Sequence, residues 1–256
     1  MTERATPDRR ANTPRQELLG STLSALMALQ FAVVVMFGKE IAAGELPFPM
    51  LAIRFAGQSA LLFYLYPVWV MLATIALDRR SPGWRLFVAL LLALGGSAVV
   101  VVGGGEVEVA PLGILLALAT SLAYTAYLIT ADRTLKRTDP VTAAAWLGAG
   151  AATSNVVFSL AFGVRDLPDA SSWPFLLGMA AFSAGAFAAM LGGLQLVGAV
   201  RNAIIGVMEP LGVAVLAAFF LDEPLTAPIA IGGILILAGA ILATLVRTTR
   251  VREPDV

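Results

Sequence analysis

The chain contains neither cysteine nor histidine. Those absences exclude disulfides, thiolate metal sites, thiol nucleophiles and imidazole proton relays, so any chemistry falls to carboxylates, amides, tyrosines and arginines. Charge is scarce too: Asp, Glu, Lys and Arg make up 13% of the 256 residues, against roughly 25% in soluble domains. Apolar residues take their place, at 59% of the chain. Long uncharged segments run from Leu19 to Gly38, Leu86 to Gly103, Leu112 to Ala131, Val141 to Gly163, Trp173 to Val200, Asn202 to Leu221 and Ala227 to Val246. Each approaches or exceeds the ~20 residues that a helix needs to cross a ~30 Å hydrocarbon layer. The chain therefore reads as an all-α, polytopic helical membrane protein. Its first apolar segment follows a basic tail, as in a signal peptide, but is long for one and reads as a retained span. Nearly all its basic residues are arginine, a composition typical of a GC-rich bacterial genome, which points to a bacterial inner membrane.

An eighth apolar run, Leu46 to Leu77, is interrupted by one charge, Arg54. If it crosses once, Arg4, Arg9, Arg10, Arg15, Arg79, Arg80, Arg85, Arg133, Lys136, Arg137, Arg201, Arg247, Arg250 and Arg252 share one side, and only Lys39 and Arg165 take the other. If it crosses twice, the bias vanishes. Basic residues concentrate in cytoplasmic loops, so the sequence predicts eight spans with both termini cytoplasmic.

The chain also aligns with itself. Gln58 to Leu77 lies over Arg201 to Phe220 without a gap at an offset of 143, setting Pro67 on Pro210 and Ala60 on Ala203. At the same offset Gly96 falls on Gly239. Gly20 to Phe37 lies over Gly113 to Thr130 at an offset of 93, so the first half is about fifty residues shorter than the second. Paired spans of opposite direction are inverted repeats, a common construction in secondary transporters. The expected organisation is a tail (1–18), a shortened repeat (19–103), a complete repeat (111–247) and a second tail (248–256).

Several stretches now carry a family resemblance: Lys39 closing the first span, Ile53 to Phe55, Phe63 to Val70, and above all Met208 to Gly239 with Glu223 in its turn. Together they resemble the EamA-type branch of the drug/metabolite transporter superfamily. That resemblance implies ten helices in two five-helix inverted repeats. Leu51 to Gly57 looks like the start of the family's second helix and Gln58 to Pro67 like its fourth, joined directly, with the intervening crossings deleted in an even number.

As one helix the fused run would be ~48 Å long, and a 40° tilt still leaves about 37 Å for a core of ~30 Å. Gln58 to Leu77 is the expected crossing, with Leu46 to Gly57 at the outer interface and Gly57 as the bend. Arg54 can then reach headgroups or a partner.

Glu209 is the one carboxylate well inside a span, a position that suits transport, proton coupling, a structural ion pair or a wet cleft. Pro210 beside it, and Pro67 at the aligned position, are candidate helix kinks. The remaining pathway candidates are Arg54, Gln30, Tyr66, Tyr124, Tyr127, Asn155, Gln195 and Asn202, with Tyr64 and Trp69 as further buried polar residues. Thr120, Tyr124, Tyr127 and Ala131 share one helical face. Gly178, Gly185 and Gly192 recur every seven residues, a packing stripe.

No His dyad, metal-ligand cluster or GxSxG motif is present, so an intramembrane enzyme is disfavoured. No cofactor, metal or nucleic acid is expected; the partners are a small-molecule substrate and the lipid bilayer. The resemblance implies a secondary transporter of small organic metabolites, with export as the favoured direction, working by alternating access. The alternative is a truncated paralogue or membrane scaffold without a closed substrate route. Reporter fusions placed after Arg80 and after Arg137 should both report the cytoplasm; a periplasmic readout at both would refute the eight-span topology.

Overall fold

The computed structural model describes residues 13–43, 62–79, 81–103, 111–135, 138–161, 169–220 and 224–246. Among them the chain forms nine α-helices and no strand: α1 (Pro14–Ala43), α2 (Tyr66–Asp78), α3 (Trp84–Gly103), α4 (Pro111–Thr134), α5 (Pro140–Ala161), α6 (Trp173–Val197), α7 (Ala199–Gly206), α8 (Glu209–Phe220) and α9 (Ala227–Leu245). Arg54, Gly57 and Glu223 lie outside the described residues.

Among the described residues six stretches are long and apolar enough to cross a membrane: Pro14–Phe37, Trp84–Val102, Ile114–Thr134, Ala170–Val197, Ala199–Phe220 and Ala227–Leu245. Only 22% to 39% of each is buried within the protein, so most of their apolar surface faces outward and requires lipid. The sequence predicts eight spans. The two others correspond to α5, 22 residues long but rich in Ala, Gly, Ser and Thr, and to α2, whose 13 residues reach ~20 Å.

Helix starts follow local chemistry. Thr13 and Gln16 form a reciprocal capping box before α1: the Gln16 Oε1 accepts from the Thr13 N–H at 3.0 Å and the Thr13 hydroxyl oxygen from the Gln16 N–H at 3.3 Å. Asp139 caps α5, its Oδ2 accepting from the Thr142 N–H at 2.8 Å, and these bonds hold its carboxyl below the ordinary carboxylate range. Within the spans, Thr hydroxyls such as those of Thr74, Thr125 and Thr244 donate to the carbonyl four residues back. In hydrocarbon that return to the same helix is the nearest partner a hydroxyl has.

Two antiparallel pairs organise the bundle. The first joins α1 to α6, with Gly178 under Phe37, Gly185 under Gln30 and Gly192 under Leu23, so a seven-residue rhythm on one helix meets the same rhythm on the other. The second joins α3 to α9 at backbone contact: a Cβ on Gly96 would stand 2.5 Å from the Gly232 carbonyl oxygen, and one on Gly239 would stand 2.7 Å from that of Ala89. Here glycine is required by proximity. Between the pairs sits α7, all eight of its residues buried. Gly198 alone connects it to α6, at φ 86°, a left-handed conformation that suits glycine.

The α3–α9 contact yields a paired prediction. Gly96→Leu drives a side chain into the backbone at Gly232 and Ile236 and should cost at least about 1–3 kcal/mol, read as a lower melting temperature in detergent. The neighbouring Gly95 faces open space, so Gly95→Ala should be neutral or stabilising.

Candidate functional site

The span from Ala199 to Phe220 is one apolar run in sequence but two helices in space. The Val207 N–H donates to Ile204 at 3.3 Å and the Met208 N–H to Ile205 at 3.0 Å, a tighter register than the α-helix allows. The helix restarts at Glu209, with Pro210 as its second residue. Pro210 has no N–H to donate to Gly206, and its ring disfavours a helical carbonyl four residues back, so the break falls just ahead of it.

The same event occurs 143 residues earlier. Leu62 and Phe63 are helical, Tyr64 and Leu65 form a turn, and α2 restarts at Tyr66 with Pro67 second. The turns at 64–65 and 207–208, and the restarts at Tyr66 and Glu209, stand at the aligned offset.

The two breaks meet. The Tyr64 hydroxyl hydrogen-bonds the Glu209 carboxylate. The Ala203 carbonyl, released when Val207 turns to Ile204, accepts the Tyr66 hydroxyl at 3.2 Å. Gly206 makes this approach possible, because a Cβ there would lie 2.6 Å from the Tyr66 oxygen. The rings of Phe63 and Tyr66 are 5.3 Å apart, those of Tyr66 and Tyr124 4.9 Å, and those of Tyr124 and Tyr127 6.0 Å. The four tyrosines of the chain thus form one cluster that reaches Glu209 through Tyr64, its direct partner; the other three are predicted pathway residues, with Tyr127 at the far side against Tyr124. Tyr64 and Tyr66 are buried, and Glu209 is half-buried. In such surroundings a carboxylate is held by hydrogen bonding and by whatever cation or proton reaches it.

A second polar cluster lies at the end of the bundle where α1 and α7 begin. Arg201, 1% exposed, stands 3.7 Å from Glu17 and donates to the Thr244 carbonyl at 2.9 Å and to the Ser21 hydroxyl at 3.5 Å. Beside it the Ser24 hydroxyl donates to Asn202 Oδ1 at 2.7 Å, under the bare backbone of Gly193. This cluster ties α1, α7 and α9 together. Sequence reasoning treats Arg201 as a loop charge and Glu17 as part of the tail; the structure buries both, since α1 begins at Pro14. The signal was present as Glu17, Ser21 and Ser24 on one helical face.

The other candidates separate. Gln195 donates to the carbonyls of Leu135 and Thr138, at 2.7 Å each, and so fixes the α4–α5 connection. Gln30 packs on Gly185, its Oε1 buried without a partner, and the Trp69 N–H is likewise buried and unpaired. Asn155 is exposed on α5 and bonds its own helix at Ala151, away from the tyrosines. Thr120 is exposed, whereas Ala131 is buried.

Outward-facing apolar helices around a polar, broken-helix centre define a multi-pass membrane protein of the transporter class. Residues 111–245 match the EamA-like transporter family, and the chain belongs to that family. It is 27% identical over 178 residues to an uncharacterized transporter of Synechocystis, covering 66% of this chain and 53% of that protein. It is also 28% identical over 188 residues to an uncharacterized transporter of Archaeoglobus fulgidus, covering 73% and 66%. The chain thus spans between about half and two thirds of the length of these relatives. A crystal structure with 20% identity superposes with a TM-score of 0.64 over 90% of this chain and 95% of that one, a likeness of fold.

The Arg201 cluster is testable. Breaking a buried ion pair by removing one of its members costs about 3–5 kcal/mol. Arg201→Leu or Glu17→Leu alone should therefore lower thermal stability sharply, while the double variant should recover most of the loss; additive losses would exclude the coupling.

Proposed function

We propose that this membrane transporter is a secondary carrier of small organic metabolites, running by alternating access between two oppositely oriented halves, residues 19–103 and 111–247. Export is the favoured direction, across a bacterial inner membrane with both termini cytoplasmic. The observation that carries the reading is the pairing of two broken helices at mid-bundle, with Glu209 of the second half hydrogen-bonded to Tyr64 of the first. Discontinuous helices that meet between repeats are the usual seat of substrate and coupling-ion sites in such carriers, because a helix break presents polar groups where hydrocarbon offers none.

The ends of the molecule support the same reading. At the Arg201 end α1, α6, α7 and α9 are drawn together by the buried ion pair and by Gly20, which lies against Leu196 and Val197. That end is shut. Passage there requires Arg201 to leave Glu17 and Thr244 while the centre holds the solute, which is the sequence of events alternating access demands.

Glu209 is then the group that senses solute or proton. In proteoliposomes, Glu209→Gln should reduce solute flux by at least about tenfold, the loss expected when a transition-state or binding interaction worth ~1.4 kcal/mol disappears, with insertion and folding unchanged. Equal flux in both proteins would remove Glu209 from the mechanism. Correct insertion of the parent protein without flux for a broad metabolite panel would instead favour a non-transporting, shortened paralogue, a reading that the family match to residues 111–245 alone keeps in play.

A further inference from the structure

Between the first helix break and α3 lies a cavity of about 350 Å³, walled by Tyr64 and Leu65 on one side and by Leu94, Gly95, Ser97 and Ala98 on the other. Its size falls at the lower end of the ~300 to 1,000 Å³ typical of small-molecule sites, and its walls are almost wholly apolar. Two features distinguish it from a packing defect. Ser97 is 1% exposed and its hydroxyl, like that of Ser121, has no hydrogen-bond partner, whereas Thr74, Thr125 and Thr244 return theirs to their own helices. Gly95 leaves the α3 wall bare: a Cβ built there meets nothing within 4 Å.

Tyr64 connects this cavity to the site already described, with its side chain in the wall and its hydroxyl on the Glu209 carboxylate. Among the described residues the junction has one electrostatic sign. The carboxylate is accompanied by aromatic rings, whose faces are electron-rich, and Arg201 is engaged with Glu17 and Thr244 at the bundle end. The other described arginines with placed side chains, Arg15, Arg79, Arg85 and Arg133, are exposed at helix ends. Among the described residues, an anionic solute at this point would face a carboxylate with no cation beside it, and a zwitterion would leave its own carboxylate in the same position.

We infer that the site takes a small organic cation with an apolar, ring-sized body. The body fills the cavity against Gly95 and Ser97, and the cationic head takes the position on Glu209 that the Tyr64 hydroxyl holds in this structure. Ser97 then supplies a hydrogen bond to a polar substituent on the body. This rests on the carrier reading above and narrows it to a substrate class.

The test uses the full chain purified in detergent, with binding measured by calorimetry for three probes of nearly one shape: 1-methyl-4-phenylpyridinium, its neutral parent 4-phenylpyridine at alkaline pH, and the anion 4-phenylbenzoate. The cation should bind at least about tenfold more tightly than either of the others, a margin that a cation–π contact and a desolvated carboxylate together supply. Gly95→Phe should fill the cavity and abolish cation binding without loss of thermal stability, and Glu209→Gln should erase the preference for charge while leaving binding of the neutral parent. Equal binding of cation and anion, or parental affinity in Gly95→Phe, would overturn the inference. Flux assays with the same probes separate it from the carrier reading: cation bound through Glu209 but never carried defeats the carrier and leaves the site, whereas flux of other solutes without cation binding defeats the site and leaves the carrier.

Discussion

A helix can break inside a bilayer only where protein replaces the hydrogen bonds that the break releases, because hydrocarbon offers no partner and each unsatisfied peptide group costs several kcal/mol. The bond from the Tyr66 hydroxyl to the Ala203 carbonyl meets that requirement at the α7–α8 break. Much of the centre follows from it. Tyr66 must approach α7 closely, so Gly206 carries no side chain; Tyr66 is positioned by the restart of its own helix, so the first break must lie beside the second. Tyr64 then falls within reach of Glu209. The polar centre therefore follows from two backbone interruptions set side by side, the second satisfied by a side chain from the first.

The outer bundle is built on a different principle. Lipid tails are as apolar as leucine, so helices associate through close packing rather than through escape from water. Glycine supplies that closeness in both large pairs, α1 with α6 and α3 with α9. Arg201 and Glu17 enter the interior near the end of the bundle, with a hydrogen bond from Arg201 to a neighbouring helix, the arrangement in which a buried ion pair is tolerated.

Much of this was legible in the sequence, for identifiable reasons. Spans are written as long uncharged runs, and the six long apolar stretches coincide with six of those expected. The heptad of Gly178, Gly185 and Gly192 reads as packing and packs as such, against Phe37, Gln30 and Leu23. Tyr66, Tyr124, Tyr127 and Glu209 could be nominated one by one as polar residues in apolar surroundings, but their convergence depends on helix rotation, which hydropathy does not encode. Asn155 carried the same signal and lies apart. Arg201 was harder still: a lone arginine between two apolar runs has the pattern of a short loop, and only the pairing of Glu17 with it, across most of the chain length, reveals a buried contact. The Thr13–Gln16 capping box, by contrast, was fully local and would have placed the start of α1 correctly.

The matched seven-residue rhythms of α1 and α6 have a mechanical meaning. Each bare glycine seats one bulky neighbour, so translation along the common axis by anything less than two helical turns drives a side chain into a ridge. The two helices are geared together as one rigid pair. A single residue, Gly198, joins that pair to the buried helix carrying Arg201.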